Sequence, residues 1–262
     1  IIMKNVCVLG CGRLGQIIAD GLHTGKVKGC RLEGVMDGNE KAVKEAARKF
    51  QCRACTDIEE LMALKPDYVV EAATAEAVKT YAMAVLSQGA ELICLSVGAF
   101  YDEEFRKLTE STALRHKTKV HLASGVLGGF DFMTAAAMYG RVETILVNRK
   151  QPSDSPKCPP GLTELPDRYQ ASVEEAYQMS PRHLNIGIAV GLACGDFKNT
   201  QLSIEPAAPD EYTGFAIHMK GDFGKAELSF QQGCEGHEVH GPFMAAWSAL
   251  ALLERLTSPI SF

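Results

Sequence analysis

The chain has 262 residues, 46% of them hydrophobic and 23% charged, and carries a net charge of −5. That balance is globular, and the length allows one large or two modest domains. Charges of both signs are dispersed without a basic face, which argues against a nucleic-acid binder, and no apolar stretch approaches the length of a membrane span.

The opening "IIMKNVCVLGCG" runs straight into a strand and lacks the charged-then-apolar layout of a secretory signal, so a soluble cytoplasmic protein is expected. "NVCVLG" is a short apolar run closed by glycine, and "GQIIADGLHTG" repeats its apolar residues at helical spacing. "CRLEGVMD" reads as the second strand and "NEKAVKEAARKF" as an amphipathic helix. "DIEELMAL" predicts a short helix before the strand "DYVVEAA". The helix "AEAVKTYAMAVLSQG", the strand "ELICLSVGA", the helix "DEEFRKLTESTALRHK" and the strand "KVHLASG" follow. Strands alternating with helices of these lengths predict a doubly wound parallel sheet of Rossmann type. Its strands are apolar without alternation, as strands covered on both faces are.

Beyond about residue 124 the pattern changes. "ETILVNRK", "NTQLSIEP", "TGFAIHMKG" and "KAELSFQQG" predict antiparallel strands with one polar and one apolar face. "KQPSDSPKCPPGLTELPDR", rich in Pro and Ser, predicts an exposed loop. "MAAWSALALLERL" predicts a closing apolar helix that returns to the first domain or its junction. The expected division is therefore 1–124 plus 242–262 as a dinucleotide-binding domain. Residues 125–241 form a second α/β domain with an open, mostly antiparallel sheet, expected to bind substrate and to dimerise.

Chemistry is first legible in "VLGCGRLGQ". Gly10, Gly12 and Gly15 have G-x-G-x-x-G spacing between a strand and a helix, with Arg13 and Leu14 inside the loop. Gly10 permits the tight turn, Gly12 lets the backbone approach a diphosphate, and Gly15 lets helix and strand pack closely. Amides at the helix start then donate to phosphate oxygens. Asp37 ends the second strand 22 residues after Gly15. A carboxylate there accepts hydrogen bonds from an adenosine ribose and repels a 2′-phosphate. NAD is therefore the expected cofactor, with Lys41 keeping NADP open. Ala73 and Thr74 in "EAATAEA", and Ser96 and Val97 in "SVGA", are small or compact residues where strands end, suited to the nicotinamide half.

Nine cysteines raise the question of metal or disulfides. Only "CRAC", 52 to 55, has ligand spacing, and no second pair or nearby histidine completes it, so reduced thiols and no metal are expected.

"PDYVVEAATAEAV", "LSVGAFYDEEF", "ASGVLGGFD", "VNRKQP", "SPRHLNIGIAVGLACGDFKNT" and "GDFG" together resemble the L-aspartate dehydrogenases over nearly the whole chain. The resemblance implies oxidation of L-aspartate to iminoaspartate with NAD or NADP, as in NAD biosynthesis, and a homodimer. It also implies a nicotinamide-side stretch at Ser124, Gly125 and Val126, and a cofactor-contacting asparagine at Asn185. Counting back from Gly221 and Gly224, the family's catalytic histidine falls on Phe215. His183 and His218 are the candidates to replace it. Side chains alternate along a strand, so His218 lies on the face opposite Phe215 unless a bulge intervenes. His183 lies two residues before Asn185, with Arg182 beside it as an anion-binding group; Arg149 and Lys150 are further cations. Two other readings remain open at this stage. One is a related imine or oxo-acid reductase, although the His-His-Lys signature of the dihydrodipicolinate-reductase type is absent. The other is a catalytically silent NAD-binding protein.

Overall fold

A computed structural model describes residues 3–150, 169–181, 184–207, 213–232 and 243–261. The chain divides into two compact units, Ile1–Val126 with Pro242–Phe262, and Leu127–Gly241.

The first unit contains strands β1 (Lys4–Leu9), β2 (Cys30–Met36), β3 (Arg53–Cys55), β4 (Tyr68–Glu71), β5 (Glu91–Cys94) and β6 (Val120–Leu122). Between them run helices α1 (Arg13–His23), α2 (Glu40–Phe50), α3 (Ile58–Ala63), α4 (Ala75–Ser87) and α5 (Glu103–His116). The strands form one parallel sheet in the order β3-β2-β1-β4-β5-β6. The order reverses between β1 and β4, the place where open α/β sheets bind ligands at their carboxyl ends. Val6, Val8, Val70 and Ile93 from the strands pack with Ile18, Leu22, Val43 and Phe50 from the helices in one core. Each such side chain, once buried, contributes about 1.5–3 kcal/mol.

Helix starts follow from local chemistry. The side chains of Asn39, Asp57, Thr74 and Asp102 accept from first-turn amides of α2, α3, α4 and α5. Two departures from the sequence expectation have clear causes. β3 is only three residues long, with Arg53 and Ala54 exposed, too short to carry a periodic signal. The expected strand "ELICLSVGA" stops at Cys94, and Val97–Tyr101 forms a 3-10 turn. The Ser96 amide donates to the buried Glu71 carboxylate at 3.0 Å, and the chain leaves the ladder there.

The second unit is built on strands β7 (Val142–Lys150), β8 (Tyr169–Ser172), β9 (Thr200–Pro206), β10 (Thr213–Gly221) and β11 (Gly224–Gln232), in the order β11-β10-β7-β9-β8. Helices α6 (Phe130–Tyr139), α7 (Val173–Met179) and α8 (Asn185–Cys194) belong to it. The pairs β10·β11, β10·β7 and β8·β9 are antiparallel, but β7 and β9 run parallel, which corrects the expectation of four antiparallel strands. The segment joining β7 to β9 contains α7 and α8, and a connection of that length is what parallel neighbours require. The Pro- and Ser-rich stretch 151–168 lies outside the described residues.

One face of this sheet is covered by helices. Thr144, Leu146 and Asn148 of β7 share it with Met219, Ile217 and Phe215 of β10 and with Ala226, Leu228 and Phe230 of β11. Thr144 Oγ1 lies 3.4 Å from Cys194 Sγ of α8. Ile145, Val147 and Arg149 occupy the opposite face with His218, Ala216 and Glu227.

The chain then returns to the first unit as α9 (Phe243–Thr257), which packs on α1. The contact is close enough that a methyl group on Gly21 would lie 2.5 Å from Leu250 Cδ1. Among the described residues no helix is long and apolar enough to cross a membrane.

Candidate functional site

The loop from β1 to α1 is shaped by two glycines that admit no side chain. Gly10 has φ +111, and a Cβ there would lie 2.6 Å from the Ala72 carbonyl oxygen. A Cβ on Gly15 would lie 1.8 Å from the Gly10 carbonyl oxygen. Gly12 differs, because nothing lies within 4 Å of its Cβ position. Its φ of −70 and ψ of −170 are extended values that any residue adopts, so local backbone strain does not explain its glycine. The space beside it suits a ligand that approaches the backbone. α1 also begins with no side-chain cap and no acidic residue in its first turn, which keeps the positive end of its dipole available to an anion. Leu14 packs against the core, and the Arg13 guanidinium lies over the Phe243 ring at 5.7 Å.

Asp37, just past β2, braces the same loop. Its Oδ2 accepts from the Cys11 amide at 2.7 Å and its Oδ1 from the Asn39 amide at 2.9 Å. Each carboxylate oxygen keeps a second lone pair, so the group can hold the loop and still accept from ribose hydroxyls. No local pattern signals the Cys11 contact, since its partners are 26 positions apart.

The exits of β4 and β5 complete this end of the sheet. Ala73 donates its amide to Glu71 Oε1 at 2.8 Å, and Thr74 caps α4 by accepting from the Ala77 amide at 3.1 Å. Ser96 donates to Glu71 through both its amide and its hydroxyl, at 3.0 and 2.8 Å, and Val97 is buried. Burial pushes the Glu71 carboxyl above its usual range, while hydrogen bonds from Ser96, Ala73 and Cys94 act the other way. Glu71 is a residue the motif reading passed over. The available signal was an acid closing the otherwise apolar, fully buried run Tyr68-Val69-Val70. Beyond β6, Gly125 donates its amide to Ser248 Oγ of α9 at 3.0 Å, which anchors the turn carrying Val126.

Gly10, Gly12, Arg13, Leu14, Gly15, Asp37, Ala73, Thr74, Ser96 and Val97 thus gather where β1, β2, β4 and β5 end, and Val126 follows the end of β6. Asn185 opens α8 in the second unit. His183 and Arg182 lie outside the described residues. β10 pairs with β7 and β11 in unbroken register, so no bulge re-aims His218. Its ring sits across from Ile145 and Glu227, with Nδ1 3.7 Å from Glu227 Oε1. Phe215 lies on the helix-covered face between Asn148 and Phe230, and a Cβ on Gly128 would touch Phe230 at 3.5 Å. Arg149 stands on the other face and pairs with Glu205 at 3.4 Å.

Among the described residues no group of three or more His, Cys, Asp or Glu side chains is placed to hold a metal ion. The described cysteines are free thiols. Burial pushes Cys52 up to about 11 and Cys11 up to about 12, so both stay protonated and poorly nucleophilic at neutral pH.

Comparison with known proteins agrees with this geometry. Residues 10–123 match the family model described as homoserine dehydrogenase, NAD binding domain, and residues 133–256 match aspartate dehydrogenase, C-terminal. The L-aspartate dehydrogenase of Methanospirillum hungatei is 28% identical, with 98% of each chain covered. That of Methanothermobacter thermautotrophicus is also 28% identical, covering 99% of this chain and 98% of the relative. The aspartate dehydrogenase structure from Thermotoga maritima shares the fold with a TM-score of 0.73, at 22% identity and 99% coverage of both chains. Scyllo-inositol dehydrogenase from Lactobacillus casei, solved with NAD(H) and scyllo-inositol, aligns with a TM-score of 0.60 at 13% identity, over 96% of this chain and 87% of its own. The first unit matches an NAD-binding domain, the second matches the aspartate dehydrogenase C-terminal domain, and the whole chain is similar to the L-aspartate dehydrogenases.

Proposed function

We propose that this protein is an NAD-dependent amino acid dehydrogenase that oxidises the CH–NH2 group of L-aspartate to iminoaspartate. The observation that carries the cofactor half is the glycine loop. Gly10 and Gly15 are closed to any side chain by backbone, while Gly12 faces open space, the pattern of a loop shaped to receive a diphosphate. Gly12, Arg13, Leu14 and Gly15 would hold the diphosphate, and Asp37 the adenosine ribose, favouring NAD over NADP. Ala73, Thr74, Ser96, Val97, Val126 and Asn185 would hold the nicotinamide half. NAD, when bound, accepts the two electrons and one hydrogen that leave Cα.

The chain's own residues then have two tasks. A dianionic substrate needs a cation, because an unpaired carboxylate in a closed pocket is costly. Arg182 is the proposed partner, since Arg149 is engaged by Glu205 on the far face of the second sheet. The substrate ammonium must lose its proton before Cα is oxidised, and His183 is the proposed base. His218 is set aside because it points away from the helix-covered face on which Phe215 takes the family histidine's place. Phe215 is also the one observation favouring a second reading, a silent NAD-binding relative. We further propose a homodimer working in the cytoplasm, where free thiols such as those of Cys7 and Cys94 persist.

The test is a scan of L-amino acids with NAD, following the near-ultraviolet absorbance of the reduced nicotinamide. Turnover of aspartate above all others is expected. Turnover of a different amino acid would move the substrate assignment, and NAD binding without any turnover would establish the silent reading.

A further inference from the structure

We propose that Glu71 is the positioning residue for the nicotinamide half of NAD: its buried carboxylate clamps the loops leaving β4 and β5 into one rigid cradle. The inference rests on the NAD-binding reading above and deepens it.

Glu71 is the last residue of β4 and is 0% exposed. A carboxylate in that position is costly to bury, and an aliphatic side chain would continue the Tyr68-Val69-Val70 run without the cost. Among the described residues no Lys, Arg or His pairs with it. Donors take the place of a cation instead. Oε1 accepts from the Ala73 amide and the Ser96 hydroxyl, each at 2.8 Å. Oε2 accepts from the Ser96 amide at 3.0 Å and the Cys94 thiol at 3.4 Å. Four donors match the four lone-pair sites of an ionised carboxylate, so its acceptor capacity is filled.

The four donors come from two different loops. Ala73 belongs to the turn that leads into α4, while Cys94 and Ser96 lie at and just past the end of β5, 23 and 25 positions beyond Glu71. One side chain therefore fixes the spacing between the two loops proposed to touch the nicotinamide half. A cradle set before the ligand arrives binds more tightly, because the loops lose no freedom on binding. Glu71 has no surface of its own to offer a ligand. It acts through Ala73 and Ser96.

Substitution by glutamine isolates this role. Each carboxylate oxygen accepts one backbone amide, from Ala73 and from Ser96. Either orientation of a glutamine amide therefore sets its NH2 against a backbone N–H that cannot reverse. The experiment measures NAD and ADP binding by calorimetry for the intact protein, Glu71→Gln and Cys94→Ala. ADP carries only the adenosine and diphosphate parts, held by Gly10 to Gly15 and Asp37. For Glu71→Gln the NAD Kd should rise about tenfold while that of ADP stays within about twofold. Cys94→Ala, at a buried residue with no proposed contact to NAD, removes one donor only and should shift the same ratio by about threefold, which keeps the test decisive if the glutamine variant fails to fold. Equal weakening of both ligands, or an unchanged NAD Kd in a folded variant, would overturn the role of Glu71. Failure of the unaltered protein to bind either ligand would instead sink the NAD reading itself.

Discussion

A methyl group on Gly15 would lie 1.8 Å from a backbone oxygen, so the first unit admits one residue type at that position. In the second unit, the position where the family resemblance places a histidine carries Phe215, and β10 keeps its full register with both neighbours. The proposed cofactor site is made of backbone: loop glycines, strand-end amides and two carboxylates that brace them. The proposed substrate chemistry is made of side chains mounted on elements that tolerate exchange. Backbone-made sites leave strict traces in sequence because alternatives collide. Side-chain-made sites leave weaker ones, because the fold survives their replacement.

The sharpest way to break this contrast is within the glycine loop itself. Gly15→Ala should destabilise the first unit by about 3 kcal/mol, since neither the helix nor the Gly10 carbonyl has room to shift. Gly12→Ala should leave stability within about 0.5 kcal/mol, because its dihedrals are ordinary and its surroundings open, yet weaken NAD about tenfold or more. Urea unfolding and NAD titration on both variants separate the two roles. A Gly12→Ala protein that binds NAD normally would show that the open space beside it is not where the diphosphate sits.

The same contrast explains what the sequence made legible. α2, with its buried Val43, Ala46, Ala47 and Phe50, announces itself by spacing alone, and its Asn39 cap sits just before it. The alternation along β10 placed Phe215 and His218 on opposite faces correctly. Strands β3 and β8 are three and four residues long, and no period can be read from them. The parallel pairing of β7 with β9 is set by what lies between them, which local pattern does not encode. Glu71 was hidden for a related reason. Its partners Cys94 and Ser96 become neighbours only when β4 and β5 pair, so the acid closing the Tyr68-Val69-Val70 run marks residue 71 as unusual without signalling what it clamps.

The second unit supplies the next prediction. If the proposed base is His183, His183→Ala should lower kcat roughly 10²- to 10⁴-fold with NAD binding nearly unchanged. His218→Ala should alter kcat by less than about twofold, as expected for a surface substitution away from the reacting atoms. Steady-state kinetics on the two variants decides it. The reverse pattern would mean that β10 presents its other face to the substrate, and the assignment of Phe215 to the histidine's place would fall with it.

The smallest expected effect tests whether acids in the first unit differ as their surroundings imply. Asp102 caps α5 by accepting from the Phe105 amide at 3.1 Å and accepts from Lys79 Nζ of α4 at 2.8 Å. The Lys79 hydrogen bond, then the Phe105 amide, hold its carboxyl below its ordinary value of 3.8. A depressed folded-state pKa means stability that is present above the unfolded value and lost as pH falls through the folded one. Asp102→Asn keeps a good capping side chain but loses the charge. The ion pair is partly exposed, so solvent screening limits the loss to about 0.5 kcal/mol at neutral pH. That difference between the two proteins should vanish as the pH drops below about 4, the ordinary carboxylate range. Glu71 behaves in the opposite sense, since burial raises its pKa and the structure bears the cost of its charge. A stability difference for Asp102→Asn that persisted in acid would mean the carboxylate acts through its shape and capping bond rather than through Lys79.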